Sequence, residues 1–314
     1  MGAGAFSLMI HGGAGQLREA EDPRVAERYH AALYATLEAG RERLARGESA
    51  LDTVEYCAAR LEDDALFNAG TGAALTREGS VELDAAIMDG AALAAGAIAA
   101  VRGIANPVRL ARAVLDDGEH VLLVADGAAG FAREIGMPQV DENTLITPQR
   151  RGQLERALRQ GRVALDHDEP APGTIGAVAR DQYGHLAAVT STGGMTGQRA
   201  GRVGDSAIPG AGVYADDATA AISATGHGEH FLRGVFAKEL ADRIEHRGLG
   251  GREALAASLQ RLHERINGYG GAIVIDRDGR CAAGTTTPRM LHGWIEHGGP
   301  TRTRIDPSSP AATS

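Results

Sequence analysis

A polar segment at residues 163–173 divides this sequence of 314 residues and constrains its fold more than any other feature. The segment holds two prolines, three acidic residues and no hydrophobic periodicity, which is typical of a surface linker. Several strands and several helices are predicted on each side of it, and no internal repeat is evident. These patterns predict an α+β protein with sheets in the middle and helices outside.

The half before the linker alternates strand and helix patterns. A short apolar strand at 6–10 is predicted to end in a tight loop formed by the glycine-rich segment 11–15. Hydrophobic spacing predicts a helix at 24–46, and Ser49 is predicted to cap a second helix that ends near residue 62. Further elements are a hairpin at 81–101 around Asp89-Gly90, a strand at 120–124, and helices at 106–115, 127–135 and 148–162.

The half after the linker begins with strands. Two apolar runs at 174–179 and 185–190 flank a polar turn and predict a hairpin. Other predicted elements are a strand at 218–224, helices at 228–247 and 253–267, a hairpin at 272–285, and a loose tail from about residue 301.

Composition excludes several classes of function. The net charge of −9 argues against a nucleic-acid partner, because phosphate contacts need a basic face. The longest uncharged run of small residues, 90–101, is too short to span a membrane. Cys57 and Cys281 are too few for a disulfide framework, and the first residues lack the basic stretch of a secretory leader, so the cytosol is the expected compartment.

Glycine, threonine, arginine and aspartate cluster in the second half. Small residues let backbone N–H groups approach a ligand, and threonine supplies a hydroxyl without adding charge. Arg202 can fork onto a carboxylate and Asp205 can accept an ammonium, so together they could hold both ends of an α-amino acid. The segments are 173–176, 191–194, 201–206 and 224–229.

The residue patterns alone leave other interpretations open. The same segments could be glycine turns with a surface ion pair, which contributes little to stability. His227, Glu229 and His230 could bind a metal ion and serve a metal-dependent hydrolase, although one histidine pair is weak support for a metal site. The acidic stretch 166–169 could bind a cation, but a solvated linker explains it better.

The four glycine-containing segments of the second half, together with three segments of the first half, resemble the plant-type L-asparaginase and isoaspartyl peptidase family of N-terminal nucleophile hydrolases. The four are 173–176, 191–194, 201–206 and 224–229. The three are 10–15 (Ile-His-Gly-Gly-Ala-Gly), 66–70 (Leu-Phe-Asn-Ala-Gly) and 82–85 (Glu-Leu-Asp-Ala). The resemblance runs from about Leu8 to Gly284 and keeps the order and spacing of several rare motifs. It implies a four-layer αββα sandwich and hydrolysis of β-aspartyl peptides and L-asparagine.

The resemblance also implies that the precursor cuts itself between Gly173 and Thr174. Residues 1–173 would form an α subunit and residues 174–314 a β subunit, together making one domain. The freed amino group of Thr174 would then act as the base for its own hydroxyl. Two such αβ units are expected to assemble into a heterotetramer in the cytoplasm.

Site residues are carried over position by position from the same resemblance. Thr192 would support the nucleophile, Arg202 and Asp205 would bind the substrate's carboxylate and ammonium, and Asn68 would pack near the nucleophile. Thr225 and Gly226 would form the oxyanion hole, with Gly228 in the same substrate-contacting loop.

A structural sodium ion is implied as well, whereas no cofactor is implied for catalysis. Backbone carbonyls of a loop would supply most of its ligands, from Leu61, Glu62, Asp64, Leu66 and Phe67. Glycosylasparaginases, an alternative within the superfamily, share the segment 201–206. They are disfavoured because this chain has Gly173 before the nucleophile, Gly193 third in its Ser-Thr-Gly-Gly segment, and His-Gly-Gly-Ala-Gly near its start.

Overall fold

A computed structural model describes residues 5–160 and 173–305, which form a mixed α+β fold with two sheets. The predicted linker lies outside the described residues except for Gly173. The strands are β1 Ser7–Gly15, β2 Leu83–Asp89, β3 Ala94–Val101, β4 Leu122–Val124, β5 Ile175–Arg180, β6 Leu186–Thr192, β7 Val213–Ala215, β8 Ala220–Gly226, β9 Gly270–Asp276, β10 Cys281–Thr285, β11 Arg289–Ile295 and β12 Arg302–Arg304. The helices are α1 Pro23–Ala45, α2 Ala50–Glu62, α3 Pro107–Asp117, α4 Ala125–Glu134, α5 Pro148–Gln160, α6 Gly228–Gly234, α7 Phe236–Arg247 and α8 Gly251–Ile266.

The larger sheet has eight strands in the order β12-β11-β1-β5-β6-β2-β3-β4, and the smaller has four in the order β10-β9-β8-β7. All pairs are antiparallel except β3 with β4. Strand β5, which follows the predicted cleavage point, is therefore central and pairs with β1 and β6.

Alternation along the strands explains why the two sheets face each other. In β1, Leu8 and Ile10 pack with α1 and α2, whereas Met9 packs toward the other sheet. In β9, Ile273 and Ile275 join Met9 in the core between the sheets. Residues of alternate parity on β8 and β9 pack instead with α6–α8 in a third cluster.

Most predicted elements are confirmed within a few residues. Ser49 caps α2 as expected, since its hydroxyl accepts from the N–H of Asp52 at 3.1 Å. The predicted hairpins around residues 89–90 and 278–279 are present as β2–β3 and β9–β10. No helix in residues 5–160 and 173–305 combines the length and apolar character needed to cross a membrane.

Three predictions about local structure are wrong. The segment 11–15 is not a loop but the end of β1, because its backbone continues to pair with β11 after a bulge between His11 and Gly13. The helix predicted at 228–247 breaks at Val235, whose φ of 46° ends α6 and begins α7. The tail is not loose at 302–304, where β12 pairs with β11.

Candidate active site

Thr174 lies directly before β5 and faces Thr192, the last residue of β6. Antiparallel pairing of Ile175 with Ser191 brings the two threonines opposite each other. The Thr174 hydroxyl donates to the Thr192 hydroxyl at 3.3 Å, and the latter also accepts from the N–H of Gly194 at 3.0 Å. Both threonines are buried, so the structure brings these two predicted site residues together in a water-poor position.

The backbone of Gly173 packs against Gly13 of β1. A Cβ added at Gly13 would lie 2.4 Å from the nitrogen of Gly173, and Gly13 has a φ of 115°. Only glycine meets both conditions without strain. The glycine-rich segment 11–15 therefore lets β1 approach the residue that precedes Thr174.

Asn68 braces the turn that follows Thr192. Its side-chain N–H donates to the carbonyl of Gly194 at 2.8 Å, and its side-chain oxygen accepts from the N–H of Ala74 at 2.7 Å. The carbonyl of Asn68 also accepts from the N–H of Gly193 at 3.0 Å. Asn68 thus acts on the backbone beside Thr192, and none of its described hydrogen bonds is to Thr174.

Arg202 and Asp205 lie on one loop, and both pack closely against Gly228. A Cβ at Gly228 would lie 2.8 Å from Nη2 of Arg202 and 2.9 Å from Oδ1 of Asp205. Glycine at 228 therefore lets a positive and a negative group come close to the same point of the backbone, and such a pair matches the two charged ends of an amino acid.

Asp205 is buried, and within the described residues its Oδ2 has no hydrogen-bond partner. Burial raises the pKa of Asp205 to about 7, although the positive charge of Arg202 opposes the shift. A buried acceptor that lacks a donor in the protein is suited to a donor from a ligand.

Glu229 makes a contact with Arg202 that the sequence analysis does not predict. Its two carboxylate oxygens accept from Nε and Nη2 of Arg202, each at 3.0 Å. The sequence carries a signal for this contact, since Glu229 follows Gly228, which the resemblance places in a substrate-contacting loop. From the sequence, Glu229 is considered only as a ligand of the alternative, weakly supported metal site.

Thr225 and Gly226 close β8 near the same loop. The Thr225 hydroxyl is buried and has no partner among the described residues. Gly226 has a φ of 154°, and a Cβ there would lie 2.6 Å from both the Cα of Gly270 and the carbonyl oxygen of Tyr269. The glycine is thus required by close packing, and the free hydroxyl is available for a ligand.

Strands β5 and β8 meet across the two sheets, which sets Thr174 and Thr225 near one crossing. A Cβ at Gly176 would lie 2.0 Å from the hydroxyl oxygen of Ser223. Thr174 and Thr225 each lie two residues from that contact. His11, whose Nε2 lies 2.9 Å from the Ser223 hydroxyl, fills the space beside it, and burial lowers its pKa to about 3, so it is neutral.

The alternative metal site at His227, Glu229 and His230 does not assemble. Nδ1 of His227 faces Nδ1 of His230 at 3.2 Å, while the Glu229 carboxylate is bound by Arg202. In the described part of the chain, the ligand atoms of three or more His, Cys, Asp or Glu residues converge only at Asp242, Glu245 and His246, on the surface of α7. The metal-dependent interpretation therefore has no geometric support.

The loop predicted to bind sodium offers backbone oxygens rather than side chains. Its carbonyls at Ala65 and Phe67 both lie within 2.9 Å of the position of a Cβ at Gly72. Asp64 instead accepts from the N–H of Leu66 at 3.0 Å, and the side chain of Glu62 accepts from Ser191 at 2.7 Å. Carbonyl oxygens are suitable ligands for a hard cation, whereas the carboxylates of Glu62 and Asp64 are engaged by the protein.

A threonine directly before a central strand, with a second sheet packed across it, is the arrangement that characterises the class of N-terminal nucleophile hydrolases. A family model described as Asparaginase matches residues 4–305, and the chain belongs to this family.

Curated relatives resemble the chain over nearly its whole length. It is 44% identical to the isoaspartyl peptidase of Salmonella typhimurium, covering 91% of this chain and 94% of the relative. It is 43% identical to the isoaspartyl peptidase of Escherichia coli, over 93% of each chain. It is 40% identical to the isoaspartyl peptidase/L-asparaginase of Homo sapiens, over 90% of this chain and 91% of the relative.

Proposed function

We propose that this protein is an isoaspartyl peptidase and L-asparaginase that is activated by cleavage of its own chain between Gly173 and Thr174. The buried contact between the hydroxyls of Thr174 and Thr192 carries the proposal. The names of the relatives support the choice of substrate. Cleavage would give an α subunit of residues 1–173 and a β subunit of residues 174–314.

Self-cleavage begins with the Thr174 hydroxyl. Its oxygen attacks the carbonyl carbon of Gly173. The C–N bond between Gly173 and Thr174 then breaks, so that the acyl group of Gly173 is held as an ester on the Thr174 oxygen. The nitrogen of Thr174 takes up the hydroxyl proton and becomes an amine. Water then hydrolyses the ester, leaving a carboxylate at Gly173 and a free amino group at Thr174. Close packing of Gly173 on Gly13 supports this step because it fixes the scissile peptide against β1.

Hydrolysis of substrate uses the same hydroxyl. The free amino group, with a reference pKa near 7.7 to 8, accepts the proton as Thr174 attacks the side-chain carbonyl of a β-aspartyl residue. The C–N bond breaks, the leaving amine takes a proton, and water hydrolyses the ester to release L-aspartate. We assign stabilisation of the oxyanion to Thr225 and Gly226, because the Thr225 hydroxyl has no partner in the described structure.

The head group of the substrate would lie at Gly228. Arg202 would bind the α-carboxylate and Asp205 the α-ammonium, since both charged groups lie beside Gly228. Every aspartyl substrate presents these two charges, so this site would recognise the aspartyl half of the substrate. The leaving group can therefore differ between substrates.

Three further features are proposed on the same basis. The helix-flanked sheets form the four-layer αββα sandwich, two αβ units assemble into a heterotetramer, and the carbonyls of 61–67 hold a sodium ion. The ion would stabilise the loop between α2 and Asn68, and the proposed reaction needs no cofactor.

Intact mass spectrometry after incubation at neutral pH tests the proposal. We expect two species that sum to the precursor plus one water, with the smaller beginning at Thr174, and release of L-aspartate from L-asparagine and β-Asp-Leu. Thr174→Ala is expected to remain a single chain without activity. Cleavage or turnover by that variant would contradict the proposal.

A further inference from the structure

Two acidic side chains of the first half hold the loop that carries Arg202 and Asp205. Glu82 lies directly before β2, and its Oε2 accepts from the N–H of Gly201 at 2.7 Å. Asp84 lies within β2, and its Oδ2 accepts from the N–H of Gly204 at 3.1 Å. The two contacts therefore fix the backbone on both sides of Arg202.

Gly204 transmits the second contact directly to the guanidinium. A Cβ at Gly204 would lie 2.9 Å from Nη1 of Arg202 and 3.3 Å from its Cζ. The guanidinium thus rests on the backbone of Gly204, whose N–H is held by Asp84. A shift of that backbone would move the guanidinium that lies beside Gly228.

Asp84 is itself held by an irregular strand. Its Oδ1 accepts from the N–H of Ala100 at 2.8 Å, at a point where the β2–β3 pairing shifts register. Ala100 has a φ of 51°, which is uncommon for a residue with a Cβ. Strain of this kind persists where the surroundings require it. With Oδ1 bound to Ala100, the second oxygen of Asp84 accepts from Gly204.

Strand β2 also connects this loop to the nucleophile. Asp84 pairs with Thr192 across β2 and β6, and Thr192 accepts from Thr174. One strand therefore sets the position of the arginine loop relative to the threonine pair. Glu82 is 8% exposed and Asp84 3% exposed, so both act from the interior of the protein.

We propose that Glu82 and Asp84 are positioning residues that hold Arg202 in place to bind the substrate carboxylate. This inference rests on the proposed function, since it concerns the same site. Neither residue touches the proposed substrate, so their loss should weaken substrate binding while leaving the Thr174 chemistry in place.

Matched substitutions separate positioning from general stability. Glu82→Ala removes the acceptor, whereas Glu82→Gln keeps an oxygen that can accept from Gly201. Asp84→Asn cannot satisfy both N–H groups, because an amide has one oxygen where the carboxylate uses two. Glu296→Ala is the control, because Glu296 makes the same kind of contact with the N–H of Cys281, at 2.7 Å, on another strand.

The experiment measures KM and kcat for L-asparagine and β-Asp-Leu. It also measures the extent of self-cleavage and the hydrogen-exchange rates of the Gly201 and Gly204 amides. In Glu82→Ala and Asp84→Asn we expect complete self-cleavage, KM raised about 10-fold or more, kcat within about twofold, and faster exchange at the affected amide. Glu82→Gln and Glu296→Ala should match the wild type.

Three results would overturn the inference. If the wild type is active and Glu82→Ala keeps its KM, or if Glu82→Gln is as impaired as Glu82→Ala, the inference alone fails. If the mature wild type hydrolyses neither substrate, the proposed function fails and the inference fails with it.

Discussion

Arg202 and Glu229 form a two-bond fork in which both carboxylate oxygens accept from the guanidinium at 3.0 Å. The Arg202 side chain is 15% exposed and that of Glu229 is 41% exposed, so the pair spans the rim of the site. Burial alone would lower the pKa of Arg202, but Glu229, Asp205 and Asp84 together raise it. The arginine is therefore held both charged and oriented before any substrate arrives.

Removing this fork should weaken substrate binding. Glu229→Ala frees the guanidinium to rotate, so we expect KM for L-asparagine to rise about 3- to 10-fold with kcat little changed. Glu239→Ala is the matched control, because Glu239 accepts from Arg243 at 2.6 Å on α7. An unchanged KM in Glu229→Ala would show that the fork does not orient Arg202.

The unpartnered hydroxyl of Thr225 predicts opposite effects on stability and activity. Thr225→Val keeps the shape of the side chain and removes a buried hydroxyl that lacks a partner in the described residues, so the free energy of unfolding should rise by about 1 kcal/mol. The same change should lower kcat about 100- to 1000-fold, since it removes a proposed oxyanion donor. Denaturant unfolding and steady-state kinetics measure the two effects.

Thr190→Val is the control for that experiment. The Thr190 hydroxyl lies 3.1 Å from the carbonyl of Gly212 and 2.7 Å from the hydroxyl of Ser223, so its loss should destabilise the protein by about 1 to 3 kcal/mol. A Thr225→Val enzyme with wild-type kcat would remove Thr225 from the oxyanion hole.

Close packing at Gly13 makes a prediction about maturation. In Gly13→Ala the new Cβ would lie 2.4 Å from the nitrogen of Gly173, so the scissile peptide must shift and self-cleavage should slow at least 10-fold. Gly47→Ala provides the control: Gly47 also has a positive φ, 84°, but its nearest neighbour would be 3.9 Å away. Timed intact-mass spectra compare the two variants, and equal cleavage rates would contradict the prediction.

Elements with strong local signals were predictable from the sequence. The Ser49 cap, the Asp89-Gly90 turn and the helical spacing of α1 all reflect interactions between residues close along the chain. The end of β1 was not predictable in this way. Its glycines show a turn pattern locally, but pairing with β11, nearly 280 residues away, keeps them in a strand.

The candidate site likewise has residues that the sequence predicts and contacts that it does not predict. Thr174, Arg202 and Asp205 could be named because their residue types carry the chemistry and their motif resembles a known one. The contacts of Glu82 with Gly201 and of Glu229 with Arg202 join segments 119 and 27 residues apart. Such contacts leave no periodic pattern, so only the folded structure reveals them.

The raised pKa of Asp205 predicts that ligand binding depends on pH. Burial raises this pKa to about 7, so the carboxyl becomes protonated as the pH falls through that value and can no longer attract an ammonium. The Kd of L-aspartate for the mature protein should therefore rise about fivefold between pH 7 and pH 6, since the ionised fraction of Asp205 falls from about one half to about one tenth. The Kd is the quantity to measure, because kcat also depends on the amino group of Thr174. The reference pKa of an α-amino group, about 7.7 to 8, is close to the pKa of Asp205.

Succinate and Asp205→Asn provide the controls for this titration. Succinate has no α-ammonium, so its weaker binding should lack this loss of affinity between pH 7 and pH 6. In Asp205→Asn, L-aspartate should bind weakly at every pH because no anion faces its ammonium. If L-aspartate and succinate instead showed the same pH profile in the wild type, Asp205 would not be the group that recognises the ammonium.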